Sequence, residues 1–367
     1  MNAFLAIVGD TWRQSKQQIV FFIMTGFLVL VAGISIFAFK VRTSETNEKV
    51  LWVPFGDNNE AGFDILWDAQ YRELIHKELG HEKVLEEKNE AYDLAKSRFE
   101  ALARDPKSAQ DDIQKANDDL TEKRKELKAL QQKQSEEAQE VVDQRTKGLN
   151  RLDKGVEMWL HWSVEWLFKA SMWLFIACCA VYYPGMLSAG AVDVLVSKPV
   201  SRAQLFFGKF LGGLVLYFAL ITAIYLLVFI GVGARTGVWH MRFFAGIPTT
   251  VLSAALLYGI VGLIGVLTRS TAFSIIVGYF FYAFIDTGVG AIQSLRNILP
   301  DEGFAGTVKS ISEFANSTLP GFGTLEDSAA ASVMNVPIAE YQPFAIAAVW
   351  LIICLGIGYW RFLKSDF

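Results

Sequence analysis

Six apolar stretches along the chain are long enough to cross a lipid bilayer as helices, which takes about 20 residues each. They cover residues 17–39, 170–192, 210–234, 243–268, a stretch from residue 270 that Asp286 interrupts, and residues 341–360. Charged and turn-forming residues are concentrated between them. The pattern predicts an all-α fold, namely a polytopic membrane protein with six transmembrane helices.

The segment between the first two apolar stretches has a different period. From residue 71 onward, apolar side chains recur in heptad rows on both sides of a turn signal at residues 104–108. The rows are Tyr71, Glu78, Leu85, Tyr92 and Phe99; Leu74, His81, Lys88, Ala95 and Leu102; and Ile113, Leu120, Leu127, Gln134 and Val141. Two such helices joined by a short turn predict an antiparallel coiled-coil hairpin over residues 71–152.

The predicted seam of this hairpin is imperfect, because Glu78, Lys88 and Gln134 occupy core positions. Two interpretations follow. The hairpin is either a self-contained stalk, or an extracytoplasmic protein covers part of the seam near its tip.

Composition divides the chain into two parts of opposite charge. Of the 367 residues, 52% are hydrophobic and 20% are charged. Residues 43–157 hold 27 of the 38 acidic and 19 of the 34 basic residues, a net charge of −8, whereas the remainder has a net charge of +4. An acidic, soluble segment is therefore inserted into a basic membrane protein.

Lysine and arginine residues near the ends of the apolar stretches favour one orientation. One side of the membrane collects eight of them and the other six, so the positive-inside rule predicts cytoplasmic termini and an extracytoplasmic hairpin. The predicted order is a cytoplasmic interfacial helix (1–18), transmembrane helix 1 (19–40), an extracytoplasmic domain (41–160) and transmembrane helices 2–6 (161–367). The predicted location is the bacterial cytoplasmic (inner) membrane.

Two features of the apolar stretches are candidates for a pathway or a gate. Trp166 and Trp173 share one helical face with two earlier tryptophans, and this face is either a wall for an amphipathic substrate or an interfacial belt. Asp286 lies inside an apolar stretch, where ionisable residues are functional candidates. The alternative for Asp286 is that it ends its helix beside Gly288 and Gly290.

The polar loop over residues 185–209 lies between the second and third apolar stretches. An apolar helical face that includes Val192 and Leu195 stops at Pro199, and Ser201 is placed to cap the following helix. The sequence therefore predicts a helix, a kink and a second helix at the cytoplasmic surface.

This loop resembles that of type-2 ABC-transporter permeases, particularly the branch associated with multicopper-enzyme maturation. The matching residues are Gly190, Asp193, Leu195, Pro199, Val200, Ser201, Arg202, Gly208 and Lys209. Ser188 stands where the family has an acidic residue. The resemblance implies that residues 185–209 form a coupling helix, with Gly190, Asp193, Leu195, Pro199, Ser201, Arg202 and Lys209 as its ATPase-coupling residues.

Residues 291–340 contain three prolines and several glycines, which predict a structured outer loop. The resemblance implies a dimer, formed with a second copy or with a related permease. The chain has no Gly-x-x-x-x-Gly-Lys-[Ser/Thr] phosphate loop. ATP and Mg are therefore expected on a partner ATPase, and the chain itself is predicted to have no cofactor, metal or catalytic residues and no nucleic-acid partner.

Three functions are compatible with these features. The first is the permease subunit of an ABC exporter, for which the low charge of the spans favours a lipid-like or extended cargo. The second is a mechanotransmission complex, in which the ATPase moves the outer hairpin against an extracytoplasmic partner without transport. The third is a scaffold or receptor without an ATPase.

Overall fold

The computed structural model describes residues 9, 11–15, 18–44, 46–54, 63–104, 109–187, 201–296, 314, 318–337 and 341–364. The helices are α1 (Ile19–Phe37), α2 (Asp64–Glu78), α3 (His81–Arg104), α4 (Gln110–Thr146), α5 (Arg151–Cys179), α6 (Tyr182–Met186), α7 (Arg202–Thr236), α8 (Gly246–Thr268), α9 (Thr271–Arg296), α10 (Phe322–Ala331) and α11 (Gln342–Leu363). Two 3-10 helices, Met241–Ala245 and Ser332–Met334, and two strands, β1 (Lys40–Thr43) and β2 (Lys49–Trp52), complete the described elements.

Five helical segments in this part of the chain are long and apolar enough to cross a membrane. They are Ile19–Phe37, Arg151–Met186, Arg202–Thr236, Met241–Thr268 and Gln342–Leu363. The remaining predicted span corresponds to α9, in which Thr271–Phe284 is a shorter apolar helix. Five of the six predicted spans therefore have a counterpart of membrane length, and the sixth stays a prediction.

Helix α8 forms the centre of the bundle. Most of its side chains are buried, and it packs against α5, α7, α9, α10 and α11. Glycines on α8 permit close approach, since a Cβ atom on Gly262 would lie 2.7 Å from the Tyr183 ring. Small residues of this kind are typical of helix contacts in membranes.

A short antiparallel β-hairpin, not predicted from the sequence, follows α1. Val41 is opposite Leu51, and Asn47 in the turn has a φ of 63°. Leu51 is buried, and a Cβ atom on Gly155 would lie 3.0 Å from its Cβ atom. The β-hairpin therefore packs directly on the beginning of α5.

Helices α3 and α4, here called the helical hairpin, run antiparallel beyond the bundle. Lys88 Nζ lies 3.1 Å from Oε2 of Glu126, and the Gln134 side chain donates to the carbonyl oxygen of His81 at 3.2 Å. Ala95 and Gln134, from predicted heptad rows, are buried. The predicted turn residues 105–108 lie outside the described residues.

The first helix of the predicted hairpin is divided in two. Helix α2 ends at Glu78 and α3 begins at His81, with Gly80 between them at a φ of 67°. Glycine tolerates this left-handed conformation because it lacks a Cβ atom. The expectation of one uninterrupted helix from residue 71 to the turn is therefore wrong.

Candidate functional site

The structure describes the residues on both sides of the predicted coupling loop. Gly190, Asp193, Leu195 and Pro199 lie outside the described residues. The chain before the loop ends in α6, and the chain after it resumes at Ser201. Both flanks contribute to a set of buried aromatic side chains, here called the loop-flank cluster: Tyr182, Tyr183, Phe206, Phe210 and Tyr258.

Hydrogen bonds and ring contacts hold the loop-flank cluster together. The hydroxyl of Tyr183 donates to the carbonyl oxygen of Phe206 at 3.2 Å. The hydroxyl of Tyr258 donates to the backbone carbonyl oxygen of Lys209 at 3.1 Å. The rings of Phe210 and Tyr258 stack with centroids 5.0 Å apart. These contacts connect α6, α7 and α8 directly across the two flanks of the loop.

Ser201 caps α7, which confirms the sequence prediction for this residue. Its Oγ accepts from the backbone N–H of Gln204 at 3.2 Å, and its own N–H donates to Oε1 of Gln204 at 3.1 Å. This reciprocal arrangement is a capping box, which satisfies donors that the first helical turn leaves unpaired. The exit from the loop is thus anchored at the first turn of α7.

Arg202 connects the beginning of α7 to the end of α11. Its Nη1 donates to the carbonyl oxygen of Leu363 at 2.7 Å, one of the last helical carbonyls, which have no partner within the helix. The buried Phe362 packs beside Phe206 with ring centroids 5.6 Å apart. The C-terminal helix is therefore attached to the loop-flank cluster.

Lys209 lies inside the bundle rather than on its surface. It is 4% exposed, its Nζ donates to Oε1 of Gln14, and the same atom lies 5.7 Å from the ring centroid of Tyr182. A buried ammonium needs such partners, because its desolvation is costly. Of the predicted coupling residues that are described, Ser201 and Arg202 are at the surface and Lys209 is not.

The N-terminal segment also joins the loop-flank cluster. Residues 11–15 of the predicted interfacial helix are described and helical. Ser15 Oγ and the hydroxyl of Tyr182 are 2.8 Å apart, and a Cβ atom on Gly212 would lie 2.8 Å from Oγ1 of Thr11. Elements that are far apart in sequence therefore meet at the flanks of one loop.

The tryptophan face of α5 places its members in different surroundings. Trp159 is buried and donates to the carbonyl oxygen of Ser35 at 2.6 Å. Trp166 is exposed, whereas Trp173 is partly exposed and stacks on Tyr279 with centroids 5.0 Å apart. Trp173 therefore packs between helices, and Trp166 faces outward.

Asp286 lies within α9, which continues to Arg296. The alternative that Asp286 ends its helix is therefore wrong, because the helix runs past Gly288 and Gly290. The side chain of Asp286 lies outside the described residues, and its predicted role in a pathway or gate stays a prediction.

Two buried carboxylates that we did not single out from the sequence lie toward the hairpin. Glu157 accepts from Nε1 of Trp67 at 2.9 Å, and its other oxygen lies 3.7 Å from Nε2 of His240. Oε1 of Glu326 on α10 lies 2.8 Å from Nζ of Lys169 on α5.

Helix α5 links these hairpin-side contacts to the loop-flank cluster. At its beginning, Arg151 pairs with Asp64 at 2.7 Å and Lys154 pairs with Asp68 at 3.1 Å, both acids belonging to α2. It then runs without a break to Cys179, immediately before α6. Within the described residues, no group of three or more potential ligands suits a metal ion.

Comparison with known families supports a transporter assignment for the C-terminal half of the chain. Residues 185–367 match the family model described as ABC-2 family transporter protein. This match begins at the loop-flank cluster and includes α7 to α11, and it covers just under half of the chain. No curated protein and no solved structure matched.

The match and the apolar helices together indicate a multi-pass membrane protein in which residues 185–367 are similar to the ABC-2 transporter family. This similarity supports assignment of the chain as the permease subunit of an ABC transporter. In such a transporter the permease works with a partner ATPase subunit. The predicted branch of multicopper-enzyme maturation stays a prediction.

Proposed function

We propose that this chain is the permease subunit of an ABC exporter and that a separate ATPase docks on residues 185–209. The observation that supports this proposal most strongly is the convergence of both loop flanks on one buried cluster, at the start of the region that matches the transporter family. A force on the loop would reach α6 and α7 together, because the loop joins them.

The contacts of the loop-flank cluster suggest how that force spreads. Tyr258 passes it to the central helix α8, and Arg202 passes it to the end of α11. A preformed set of packed side chains and hydrogen bonds moves as a unit more readily than it deforms. ATP-driven motion of the ATPase would therefore tilt several spans at once and open a path across the membrane.

The proposed arrangement has two permease chains in the bacterial inner membrane, either identical or related, with the termini and the ATPase in the cytoplasm. ATP and Mg bind on the ATPase, and the chain described here contributes no catalytic group. Lipid-like or extended molecules are the proposed cargo, because the spans carry little charge.

The decisive experiment measures coupling in nanodiscs that contain this chain and its ATPase. Asp193→Ala and Arg202→Ala are expected to lower substrate-stimulated ATP hydrolysis several-fold while the complex still assembles. Lys364→Ala is the matched control, because this basic residue lies at the same end of the bundle and its Nζ sits over the ring of Trp360 at 4.1 Å. Unchanged coupling in both loop variants would contradict the assignment of the loop.

A second candidate function is mechanotransmission, and the continuity of α5 favours it. One helix of 29 residues connects the ion pairs at the base of the helical hairpin to the loop-flank cluster. Motion of the loop would then move the hairpin against an extracytoplasmic partner, with no cargo crossing the membrane.

Deletion of residues 81–146, which form the helical hairpin with its turn, distinguishes the two functions. The strands and α2 remain in this variant, so the packing of α2 and β2 on α5 is retained. A transporter is expected to keep ATP-dependent transport after the deletion. A mechanotransmission complex would lose its biological activity although its ATP hydrolysis persists. A scaffold or receptor would show no ATPase subunit in the purified complex in the first place.

A further inference from the structure

A groove on α5 combines aromatic and charged side chains, and the assignment as a permease gives this combination no role. It is lined by Trp162, Glu165, Trp166 and Lys169 and has a volume of about 240 Å³. Trp162 is 37% and Trp166 is 63% exposed. These residues directly precede the apolar stretch 170–192 on a helix of membrane-spanning length. A ligand of the groove would therefore lie where this helix enters the bilayer.

Above the raised pKa of Glu326, about 7, that acid is ionised and compensates the positive charge in this groove. Nζ of Lys169 lies 2.8 Å from Oε1 of Glu326, whose side chain is almost fully buried on α10. A charge-assisted contact at this distance to a buried acid is strong. Lys169 is therefore occupied from the protein side and is not the group that sets the charge of the groove.

The carboxylate of Glu165 has much weaker compensation. Its Oε1 lies 3.2 Å from Nε2 of His161, but the contact lacks hydrogen-bond geometry, and neither ring nitrogen of the buried His161 has a hydrogen-bond partner. Among the described residues this is the one ion-pair contact of Glu165 within 4 Å, and Lys169, one helical turn further on, acts on Glu165 from a longer distance. An acid without a full partner beside the low-dielectric bilayer gains more from a counter-charge than an acid in bulk water does.

Two indole rings line the same groove as this carboxylate. Trp162 precedes Glu165 by three residues and Trp166 follows it directly, so the helix places all three side chains at one groove. Tryptophan is the aromatic residue that attracts organic cations best. A carboxylate that shares a groove with two indole rings is therefore suited to an ammonium group and unsuited to a sulfate or phosphate group.

The size of the groove limits what enters it. Pockets that hold a whole small-molecule ligand generally have volumes of about 300–1,000 Å³, which exceeds the volume of this groove. A headgroup fits in the space, and an apolar chain attached to it would extend along the outside of α5 among the lipids.

We propose that this groove binds the headgroup of an amphiphile that carries an organic ammonium group, with Glu165 as its counter-charge and Trp162 and Trp166 as its walls. The ligand is either a lipid of the surrounding bilayer or a transported molecule, and the ammonium head on an apolar chain is common to both. Binding does not require the ATPase, so this proposal and the proposed transporter function stand or fall separately.

The test uses the full chain at about pH 8, above the raised pKa of Glu326, in nanodiscs of lipids that lack amines. Two spin-labelled probes share one alkyl chain, and one has a trimethylammonium head whereas the other has a sulfate head. Electron paramagnetic resonance measures the immobilised fraction of each. The wild type is expected to prefer the ammonium probe, Glu165→Gln to lower that preference roughly fivefold or more, and Trp166→Ala to lower it roughly threefold.

Two control variants separate binding from folding. Glu165→Asp keeps the charge and is expected to retain the preference, even if it shifts thermal stability. Trp360→Ala removes an indole that is also more than half exposed but lies at the end of α11, and it should leave the preference unchanged. The proposal is overturned if the wild type immobilises both probes equally, or if folded Glu165→Gln retains the full ammonium preference. The tryptophans would then be an interfacial anchor.

The assembled complex with its ATPase distinguishes the two sources of the ligand. A transported amphiphile is expected to leave the groove when ATP is added, whereas a bilayer lipid is expected to stay. Both results require prior, charge-selective binding in the nanodiscs.

Discussion

Lys169 and Glu326 form an ion pair between α5 and α10. Burial raises the pKa of Glu326 by more than the Lys169 ammonium lowers it. Nζ of Lys169 lies 2.8 Å from Oε1 of Glu326, and the acid is almost fully buried whereas the lysine is about half exposed. Loss of solvation raises the pKa of Glu326 to about 7, the Lys169 ammonium opposes that rise, and nearby carboxylates reinforce it. Burial is the larger effect, as expected for a charge that leaves water.

This balance predicts a pH-dependent effect of Glu326→Gln. The folded protein keeps the Glu326 proton up to about pH 7, whereas the unfolded chain releases it near the usual pKa of 4.5. The stabilising contribution of the protonated acid is therefore complete below that value and is lost as the pH rises through about 7. We expect Glu326→Gln to raise the Tm relative to the wild type at about pH 8 and to have little effect at about pH 5, as measured by thermal melts.

The neighbouring acid provides the control for this prediction. Asp327 lies 3.7 Å from Nζ of Lys77, and both side chains are largely exposed. Asp327→Asn is expected to change the Tm little at either pH, because exposed ion pairs contribute about 0–1 kcal/mol. If Glu326→Gln raises the Tm by the same amount at both pH values, the result would contradict the raised pKa of Glu326.

The packing at Gly213 predicts a strong effect of Gly213→Ala on the loop-flank cluster. An added Cβ atom would lie 2.8 Å from the Tyr258 ring and 3.0 Å from the Tyr182 ring. Overpacking of this kind typically costs about 1–3 kcal/mol. Thermal melts should show a lower Tm, and coupling to the ATPase should weaken with it. Gly356→Ala is the control, since nothing lies within 4 Å of its added Cβ atom, and an unchanged or slightly higher Tm is expected.

The ion pair of Arg145 and Glu78 is expected to stabilise the base of the helical hairpin. The guanidinium donates to both carboxylate oxygens, at 2.7 and 2.8 Å, and neither side chain is more than a third exposed. Arg145→Ala is expected to cost about 1–3 kcal/mol locally. Hydrogen exchange should accelerate near Glu78 and in the last turns of α4, while α8 stays protected.

An exposed ion pair of the same hairpin serves as the comparison. Lys115 and Asp111 lie 2.7 Å apart, with both side chains more than two-thirds exposed. Lys115→Ala should leave exchange near Glu78 unchanged. Equal acceleration in both variants would mean that the contact of Arg145 has no special role.

The proposed orientation is testable because the three native cysteines are buried. Ser135→Cys, on α4, is expected to react with a membrane-impermeant thiol reagent added outside intact cells. Lys364→Cys, at the end of α11, should react only after the membrane is opened. The reverse pattern would place the helical hairpin in the cytoplasm.

Periodic features of this fold were predictable from the sequence. Heptad spacing predicted the burial of Ala95 and Gln134, and Ser201 was recognised as a cap because its side chain suits the first turn of a helix. Local chemistry determines both features. The break at Gly80 went unrecognised because the heptad pattern continues through it.

Features that depend on distant contacts were not predictable in this way. From the sequence alone, Lys209 is indistinguishable from the other basic residues of a surface loop. In the structure its ammonium group contacts Gln14 and Tyr182. Glu326 becomes a candidate only when α10 is seen to pack beside Lys169. A single sequence contains no direct record of such pairings, whereas the resemblance of the loop pointed to the family that the C-terminal half matches.

The uninterrupted course of α5 has a geometric consequence for the distal hairpin. With 37 residues, α4 is about 55 Å long at 1.5 Å per residue. If α5 and the base of the hairpin rotate together, a tilt of roughly 10° sweeps the far end of α4 through about 10 Å, by the same helical geometry. A displacement at the loop too small to see easily in the bundle would thus be magnified at the tip, where a fluorophore pair would report it.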